Sequence, residues 1–225
     1  LYTDGTYTAY LDMPDFVKMK KLPHNHFFMG PVIWSPESRN LKLDLTDKNY
    51  VYITMGSSGE SKLLPNILSA VLKLNCQIIL SGINESEKMV LTKKFPQLIG
   101  RSIIEPLISA EHVLKNCKLT ICHGGSGTVY QSLSYGTPVL CLPSNPDQNL
   151  VSMALEEKHL GRRLSCKNSK ASNIESMIFE CWSDEVLKEN AMVYSKRIQT
   201  WNTESHWQKF LTKFRTDSQS TKEIA

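Results

Sequence analysis

The residues whose types and spacing best suit binding chemistry lie between His123 and Thr128. They read His-Gly-Gly-Ser-Gly-Thr and directly follow the apolar run Leu-Thr-Ile-Cys. Glycines remove the Cβ atoms that would keep a ligand away from the backbone, and the amides that open a helix have no partners within it. Hydroxyl and imidazole groups add further donors. The pattern predicts an anion site that fits a diphosphate. A glycine turn with a capping Ser or Thr is the alternative reading.

Two further loops of the same kind follow apolar runs. Residues 56–59 read Gly-Ser-Ser-Gly, and residues 143–148 read Pro-Ser-Asn-Pro-Asp-Gln. Two better-known phosphate motifs are excluded: the dinucleotide fingerprint lacks its third glycine, because Tyr130 stands there, and no Gly-Lys-Ser or Gly-Lys-Thr triplet follows a strand. The chain has no Asp-x-Asp motif and no clustered His and carboxylate set, so no metal cofactor is expected.

The elements that must position these loops alternate between short apolar strands and helices from Asn49 onward. This alternation predicts an α/β fold, a Rossmann-like parallel sheet of about six strands with helices on both faces, over residues 49–215 with its C-terminal helices. Ligands bind such sheets at the carboxyl ends of the strands, where all three loops fall. The opening segment is not typical of the first strand of a parallel sheet, and residues 216–225 are expected to form a disordered tail.

Composition narrows the classes of protein and partner. The 225 residues carry a formal net charge of +4, with Lys and Arg interspersed among Asp and Glu, which does not favour nucleic-acid binding. The six cysteines show no Cys-x-x-Cys pair and are interpreted as buried reduced thiols. No apolar run approaches the roughly 18 residues that span a bilayer, and no signal segment opens the chain. A cytoplasmic protein without a transmembrane segment is expected.

The run CHGGSGTVYQSLSYGTPVLCLPSNPDQ resembles the signature of UDP-sugar-dependent glycosyltransferases with the GT-B fold: H-G-G-x-G-T, a helix, G-x-P, an apolar strand, P and D-Q. VYITMGSS and HFFMGPVIWSP resemble that family's first strand and its interdomain connector, so the similarity extends over about residues 20–215. The resemblance implies the C-terminal, nucleotide-sugar donor-binding half of such an enzyme. Residues 1–48 would then be the connector and the end of a missing N-terminal acceptor domain.

The resemblance also implies an activity. The whole protein would transfer a hexose from a UDP-sugar, with inversion and without metal, to a small hydroxylated acceptor. This half alone is expected to be inactive, because the base that deprotonates the acceptor belongs to the missing half. Two alternatives stay open: a nucleotide-sugar epimerase of similar fold, and a non-catalytic nucleotide-sugar-binding subunit. UDP and TDP donors are not distinguished.

Roles for individual residues come from the same resemblance. Residues 123–128 would hold the diphosphate, with His123 stabilising the leaving group and Ser57 or Ser58 donating from the first loop. Ile104, Glu105 and Leu107 would border the uracil. Gln131 stands where many members carry a ribose-binding Glu. Asp147 and Gln148 would bind sugar hydroxyls, although capping of the following helix is an alternative for Asp147. The implied donor-binding residues are Ser57, Ser58, Ile104, Glu105, Leu107, His123, Gly124, Gly125, Ser126, Gly127, Thr128, Gln131, Asp147 and Gln148.

Overall fold

Two compact units make up the protein, whose computed structural model describes residues 5–17, 19, 21–34 and 49–222. One unit combines Leu1–Val32 with Arg197–Ala225, and the other is Ile33–Lys196. Part of the predicted connector, residues 35–48, lies outside the described residues. The observed division therefore falls near residue 196, whereas the predicted donor-binding domain extends to residue 215.

The smaller unit contains a two-stranded sheet that the sequence did not indicate. Strand β1 (Thr8–Tyr10) pairs in parallel with β2 (His26–Phe28), although the opening segment was not expected to form a parallel strand. Each strand has only three residues, which is too short for an alternating pattern to stand out. The ring of Tyr7 packs edge-on against Phe210, which belongs to the last helix of the chain.

The larger unit is built on one six-stranded parallel sheet. The order across the sheet is β5-β4-β3-β6-β7-β8, and every neighbouring pair is parallel. This confirms the prediction of about six parallel strands. The strands are β3 (Tyr50–Thr54), β4 (Gln77–Ser81), β5 (Ser102–Glu105), β6 (Cys117–Cys122), β7 (Val139–Cys141) and β8 (Gly161–Arg163).

Helices cover both faces of this sheet, as predicted. The helices of the chain are, in order, α1 (Leu64–Val71), α2 (Glu85–Lys94), α3 (Ala110–Leu114), α4 (Ser126–Ser134), α5 (Pro146–Glu157), α6 (Ala171–Ser183), α7 (Glu185–Thr200) and α8 (Thr203–Lys222), of which α8 lies in the smaller unit and is not counted among the helices that cover the sheet. Apolar residues of α1 and α6 pack with Ile53 and Ile121 in the main core cluster. On the other face, α3 packs with Tyr52 and Ile79. Both faces of the sheet are thus buried, which suits its continuous apolar strands.

The predicted disordered tail is wrong for residues 216–222, because α8 runs without interruption to Lys222. Backbone hydrogen bonds within a helix form between its own residues, so a polar sequence can continue a helix that has already begun. None of the helices in the ranges that the structure describes is long and apolar enough to cross a membrane.

The order of the strands brings the loop after β3 and the loop after β6 side by side. The chain moves outward from β3 through β4 to β5, returns to β6 beside β3, and then continues through β7 to β8. The crevice between β3 and β6 is therefore the point at which the direction of winding reverses. Ligands of open parallel sheets bind outside the carboxyl ends of the strands at such a point. Residues 56–59 follow β3, and residues 123–125 follow β6.

Candidate functional site

The start of α4 offers backbone amides that no side chain caps. The helix begins at Ser126 immediately after the β6 turn, and its N-cap is Gly125, which has no side chain to donate or accept. The first helical hydrogen bond runs from the Val129 amide to the Gly125 carbonyl at 3.0 Å. The amides of Ser126, Gly127 and Thr128 precede that bond, so the helix leaves them for an outside acceptor. The alternative of a capping Ser or Thr is excluded here.

The glycines of the first two loops make room for the imidazole of His123. A Cβ at Gly56 would lie 2.6 Å from the ring Cε1, and one at Gly125 would lie 2.5 Å from Nε2. At Gly59 the added atom would lie 2.9 Å from the His123 Cβ. By contrast, a Cβ at Gly127 would meet nothing within 4 Å. We expected these glycines to admit a ligand, but most of them first admit a neighbouring side chain.

Two separate features of its surroundings require a glycine at position 124. Its φ of +87° lies in the left-handed region that favours glycine, and an added Cβ would collide with Ser152 Oγ. The Gly124 amide donates to Cys122 Sγ at 3.3 Å, which ties the turn to the end of β6. The turn from β6 into α4 is therefore fixed by its backbone, and α4 starts in a defined place.

Burial keeps the His123 ring neutral near pH 7. The residue is only 8% exposed, and this desolvation lowers the pKa of the imidazole below its ordinary 6.5. Its Nδ1 atom is buried and has no hydrogen-bond partner among the described residues. An orphaned N–H is costlier than an orphaned acceptor, so the tautomer with the proton on Nε2 is favoured. His123 can then donate from Nε2.

The third loop resolves the two readings of Asp147. The side chain of Asn145 caps α5, because its Oδ1 accepts from the Gln148 amide at 2.9 Å. Asp147 lies in the first turn of the helix and is exposed. The capping alternative for Asp147 is therefore wrong, and its carboxylate is accessible at the carboxyl edge of the sheet.

Gln148, unlike Asp147, is buried and hydrogen-bonded within the folded chain. It is 2% exposed, and its side-chain amide already bonds to Ser58 and Ser144. We expected Gln148 to offer hydrogen bonds to sugar hydroxyls, but the folded chain uses those bonds internally. Sequence reasoning could not find this, because the neighbouring position of Asp147 and Gln148 in the chain says nothing about which of the two points inward.

The residues expected to border the base are dispersed. Ile104 is only 4% exposed and belongs to the main core cluster, so its side chain does not face the site. Glu105 is half-buried and pairs with Lys88 at 3.9 Å, and its carbonyl accepts from the Gly82 amide at 3.1 Å. Leu107, at 59% exposure, is the most accessible of the three.

Trp34 is a candidate that sequence reasoning missed. The carbonyl of Trp34 accepts a hydrogen bond from Gln131 Nε2, and the indole is 68% exposed. Together with Tyr135 and Glu111, these residues line a cavity of about 400 Å³ beside α4. Gln131 is four residues beyond Gly127, about 6 Å along the helix. The backbone of Trp34 thus contacts α4 about one turn beyond the open amides, and its exposed indole is a candidate surface for a base. The signal in the sequence was the aromatic residue between Ile33 and Ser35.

Ionisable groups give no sign of a metal site in this part of the chain. Across residues 5–17, 19, 21–34 and 49–222, no three His, Cys, Asp or Glu side chains are grouped so that they could hold a metal ion.

Comparison with known proteins identifies relatives of this arrangement. The family described as erythromycin biosynthesis protein CIII-like, C-terminal domain, matches residues 66–199. A PGL/p-HBAD biosynthesis glycosyltransferase of Mycobacterium tuberculosis is 31% identical over 197 residues, which are 85% of this chain and 44% of that protein. An inactive PGL/p-HBAD biosynthesis glycosyltransferase of Mycobacterium bovis is 42% identical over 77 residues, which are 32% of this chain and 20% of that protein. The chain thus spans less than half the length of these relatives.

Two solved structures share the fold. The spinosyn forosaminyltransferase SpnP superposes with a TM-score of 0.76 at 17% identity, over 93% of this chain and 55% of that one. The spinosyn rhamnosyltransferase SpnG complexed with thymidine diphosphate superposes with a TM-score of 0.67 at 22% identity, over 83% of this chain and 51% of that one. At these identities the two structures support the fold and no finer property.

Proposed function

The chain belongs to the family of erythromycin biosynthesis protein CIII-like C-terminal domains, the donor-binding half of GT-B glycosyltransferases, and we propose that it binds the diphosphate of a nucleotide sugar. One observation carries the proposal: the uncapped amides that open α4 lie directly after the buried, neutral His123. An anion at this place would receive several N–H donors and the positive end of the helix dipole.

The proposed chemistry is stabilisation of a leaving group. When the bond between the sugar and the diphosphate breaks, negative charge grows on the departing phosphate oxygens. Amides that are already oriented by the α4 turn, together with His123 Nε2–H, stabilise that charge without reorganising. We propose that they act without a metal ion, because the site offers a fixed donor set for the diphosphate. Inversion is proposed from the resemblance to the family alone, since it depends on the acceptor side of the enzyme.

We propose contacts for the sugar, the base and the ribose of the donor from the residues that lie near the diphosphate site. Asp147 is exposed beside the third loop, which supports a hydrogen bond from its carboxylate to a sugar hydroxyl. Trp34 and Gln131 line the cavity along α4, which supports their placement beside the base and ribose, with Leu107 as a further apolar contact. UDP is the proposed nucleotide, and TDP is its competitor because SpnG was solved with thymidine diphosphate.

The whole protein is proposed to be a hexosyltransferase whose missing N-terminal domain binds a small hydroxylated acceptor and supplies the base. The donor half alone would then bind without turning over. Cytoplasmic localisation stays a prediction that imaging of the whole protein tests.

Calorimetric titration of the chain with UDP, TDP, uridine and UDP-glucose tests the proposal. UDP or TDP should bind and uridine should bind far more weakly, because uridine lacks the diphosphate. Binding should be unchanged by EDTA, which tests the proposed independence from metal. The absence of heat with both diphosphates would contradict the proposal, and transfer to an acceptor at an enzyme-like rate by this chain alone would contradict the assignment of the base to the other half.

A further inference from the structure

A cavity of about 500 Å³ lies beside the loop of residues 56–59, at the carboxyl ends of β3 and β4. The start of α1 and the body of α2 form its other walls. In the sheet, β4 and β6 flank β3 on opposite sides. The loop that follows β3 therefore has this cavity on its β4 side and His123, which follows β6, on its other side. The cavity is thus separate from the crevice between β3 and β6 where the diphosphate is proposed to bind.

The inner walls of the cavity are apolar and fixed. They include side chains that are at most 8% exposed and that belong to the main core cluster, namely Met55, Leu64, Leu80, Ile83 and Leu91. Because these side chains are packed into the core from behind, the cavity keeps its shape without a ligand. Small-molecule sites are commonly concave spaces of roughly 300–1,000 Å³ with mainly apolar walls and a few polar groups. The size and the walls of this cavity fit that description.

The charge of the lining selects the class of ligand. None of the described residues that line the cavity is Lys, Arg or His, and the ionisable one is Glu87. Its carboxylate accepts from the Asn84 amide at 2.9 Å in the capping box of α2. An anionic ligand would therefore meet a like charge and no counter-charge, which makes its transfer from water costly. Hydroxyl groups are present at the edge, on Ser61 and Ser86, and these can bond to an uncharged polar group.

We propose that this cavity is a second binding site of the chain, and that it takes a neutral, largely apolar molecule with one hydroxyl end. The apolar body lies on the buried side chains of the inner walls, and the hydroxyl end meets Ser61. This site goes beyond the proposed function and needs no nucleotide. Because the two sites lie on opposite sides of residues 56–59, a ligand in the cavity and a diphosphate at the start of α4 can be bound together.

A fluorescence titration with N-phenyl-1-naphthylamine tests the class of ligand. This dye is uncharged and becomes fluorescent in apolar surroundings, so it should bind to the wild-type chain. Octanol should displace it, whereas octanoate, with a chain of the same length, should need a concentration about tenfold higher or more, because its charge must leave water. Equal displacement by octanoate would overturn the neutral class, and failure of both the dye and octanol to bind would overturn the site.

Two variants of α2 test the place of binding. Val90 and Met89 are 66% and 69% exposed, but of the two only Val90 lines the cavity. Val90→Asp should raise the Kd of the dye by about tenfold, because an apolar contact is replaced by a charge that must keep its water. Met89→Asp is the matched control and should leave the Kd unchanged. Melting temperatures should agree between the two variants, since both side chains are exposed. Equal effects on the dye would place it elsewhere and overturn the proposal.

UDP distinguishes this site from the proposed nucleotide site. Saturating UDP should not displace the dye, because the diphosphate is held on the other side of residues 56–59. Displacement of the dye by UDP would place it in the nucleotide site and overturn the second site. If the wild-type chain binds no UDP, the proposed function fails, while the comparison of Val90→Asp with Met89→Asp still decides whether the cavity binds the dye.

Discussion

Gly125→Ala tests the finding that glycines at this site make room for an imidazole. The new methyl group would lie 2.5 Å from His123 Nε2 and 3.0 Å from Cε1, closer than ordinary contacts of 3.4–4 Å, so the ring must move by roughly 1 Å. Its retreat is limited by Gly56 and Gly59, which pack so near to His123 that an added Cβ at either would lie within 2.9 Å of its side chain. The φ of Gly125 is −66°, which alanine adopts without strain. The expected cost is therefore steric.

The expected loss of stability in Gly125→Ala follows from the cost of overpacking. Adding a methyl group to a well-packed place costs about 1–3 kcal/mol. For a chain of this size each kcal/mol lowers the melting temperature by roughly 2–4 °C, so the expected fall is roughly 2–12 °C. UDP affinity should fall as well, because Nε2 is displaced from its position beside α4.

Thermal unfolding of the wild type, the Gly125→Ala and His123→Ala variants and their double variant, followed by circular dichroism without ligand, isolates the cause of the stability loss. Gly125→Ala should lower the melting temperature in the wild-type background, but not in the His123→Ala background, where the ring is absent. Gly127→Ala, two residues further along, is the control: no atom lies within 4 Å of its added Cβ, so no fall is expected. Equal losses in both backgrounds would refute the steric argument.

Three further outcomes follow from the site. His123→Ala should raise the Kd for UDP roughly 10- to 150-fold, the equivalent of about 1.5–3 kcal/mol for a hydrogen bond to a charged group, and calorimetry showing no change would remove His123 from the site. Burial lowers the pKa of His123 from 6.5, so the unfolded chain binds the proton more readily than the folded chain does. The stability contributed by the neutral ring is complete above pH 6.5 and is lost as the pH falls through the pKa of the folded state. Urea unfolding midpoints should therefore fall more in wild type than in His123→Asn between about pH 7.5 and 5. Asp147→Asn should weaken UDP-glucose binding and leave UDP affinity nearly intact, whereas Asn145→Ala should lower stability by about 1 kcal/mol through loss of the cap; equal losses of both ligands in Asp147→Asn would exclude sugar contact.

The sheet could be predicted because its physical signal is local. Continuous apolar runs such as those of β6 and β7 suit strands buried on both faces, and the glycine loops mark where those strands end. The pairing of β1 with β2 could not be predicted, since two three-residue strands carry almost no periodicity.

The site was predictable in position but less so in detail. The loops that meet at the crevice follow from strand order, yet the partners of a polar side chain depend on packing between distant parts of the chain. Asn145 and Asp147 are both good capping residues, and only the fold shows that Asn145 caps α5. The burial of Gln148 against Ser58 likewise depends on a contact across β6. Trp34 became a candidate only when its chain segment was seen beside α4.

A crystal structure of the chain grown with UDP shows whether the start of α4 holds a diphosphate. Diphosphate oxygens should lie within about 2.7–3.2 Å of the backbone nitrogens that open α4 at Ser126–Thr128, with His123 Nε2 donating to one of them. A diphosphate bound elsewhere on the chain, with those amides facing only solvent, would contradict the proposed diphosphate site.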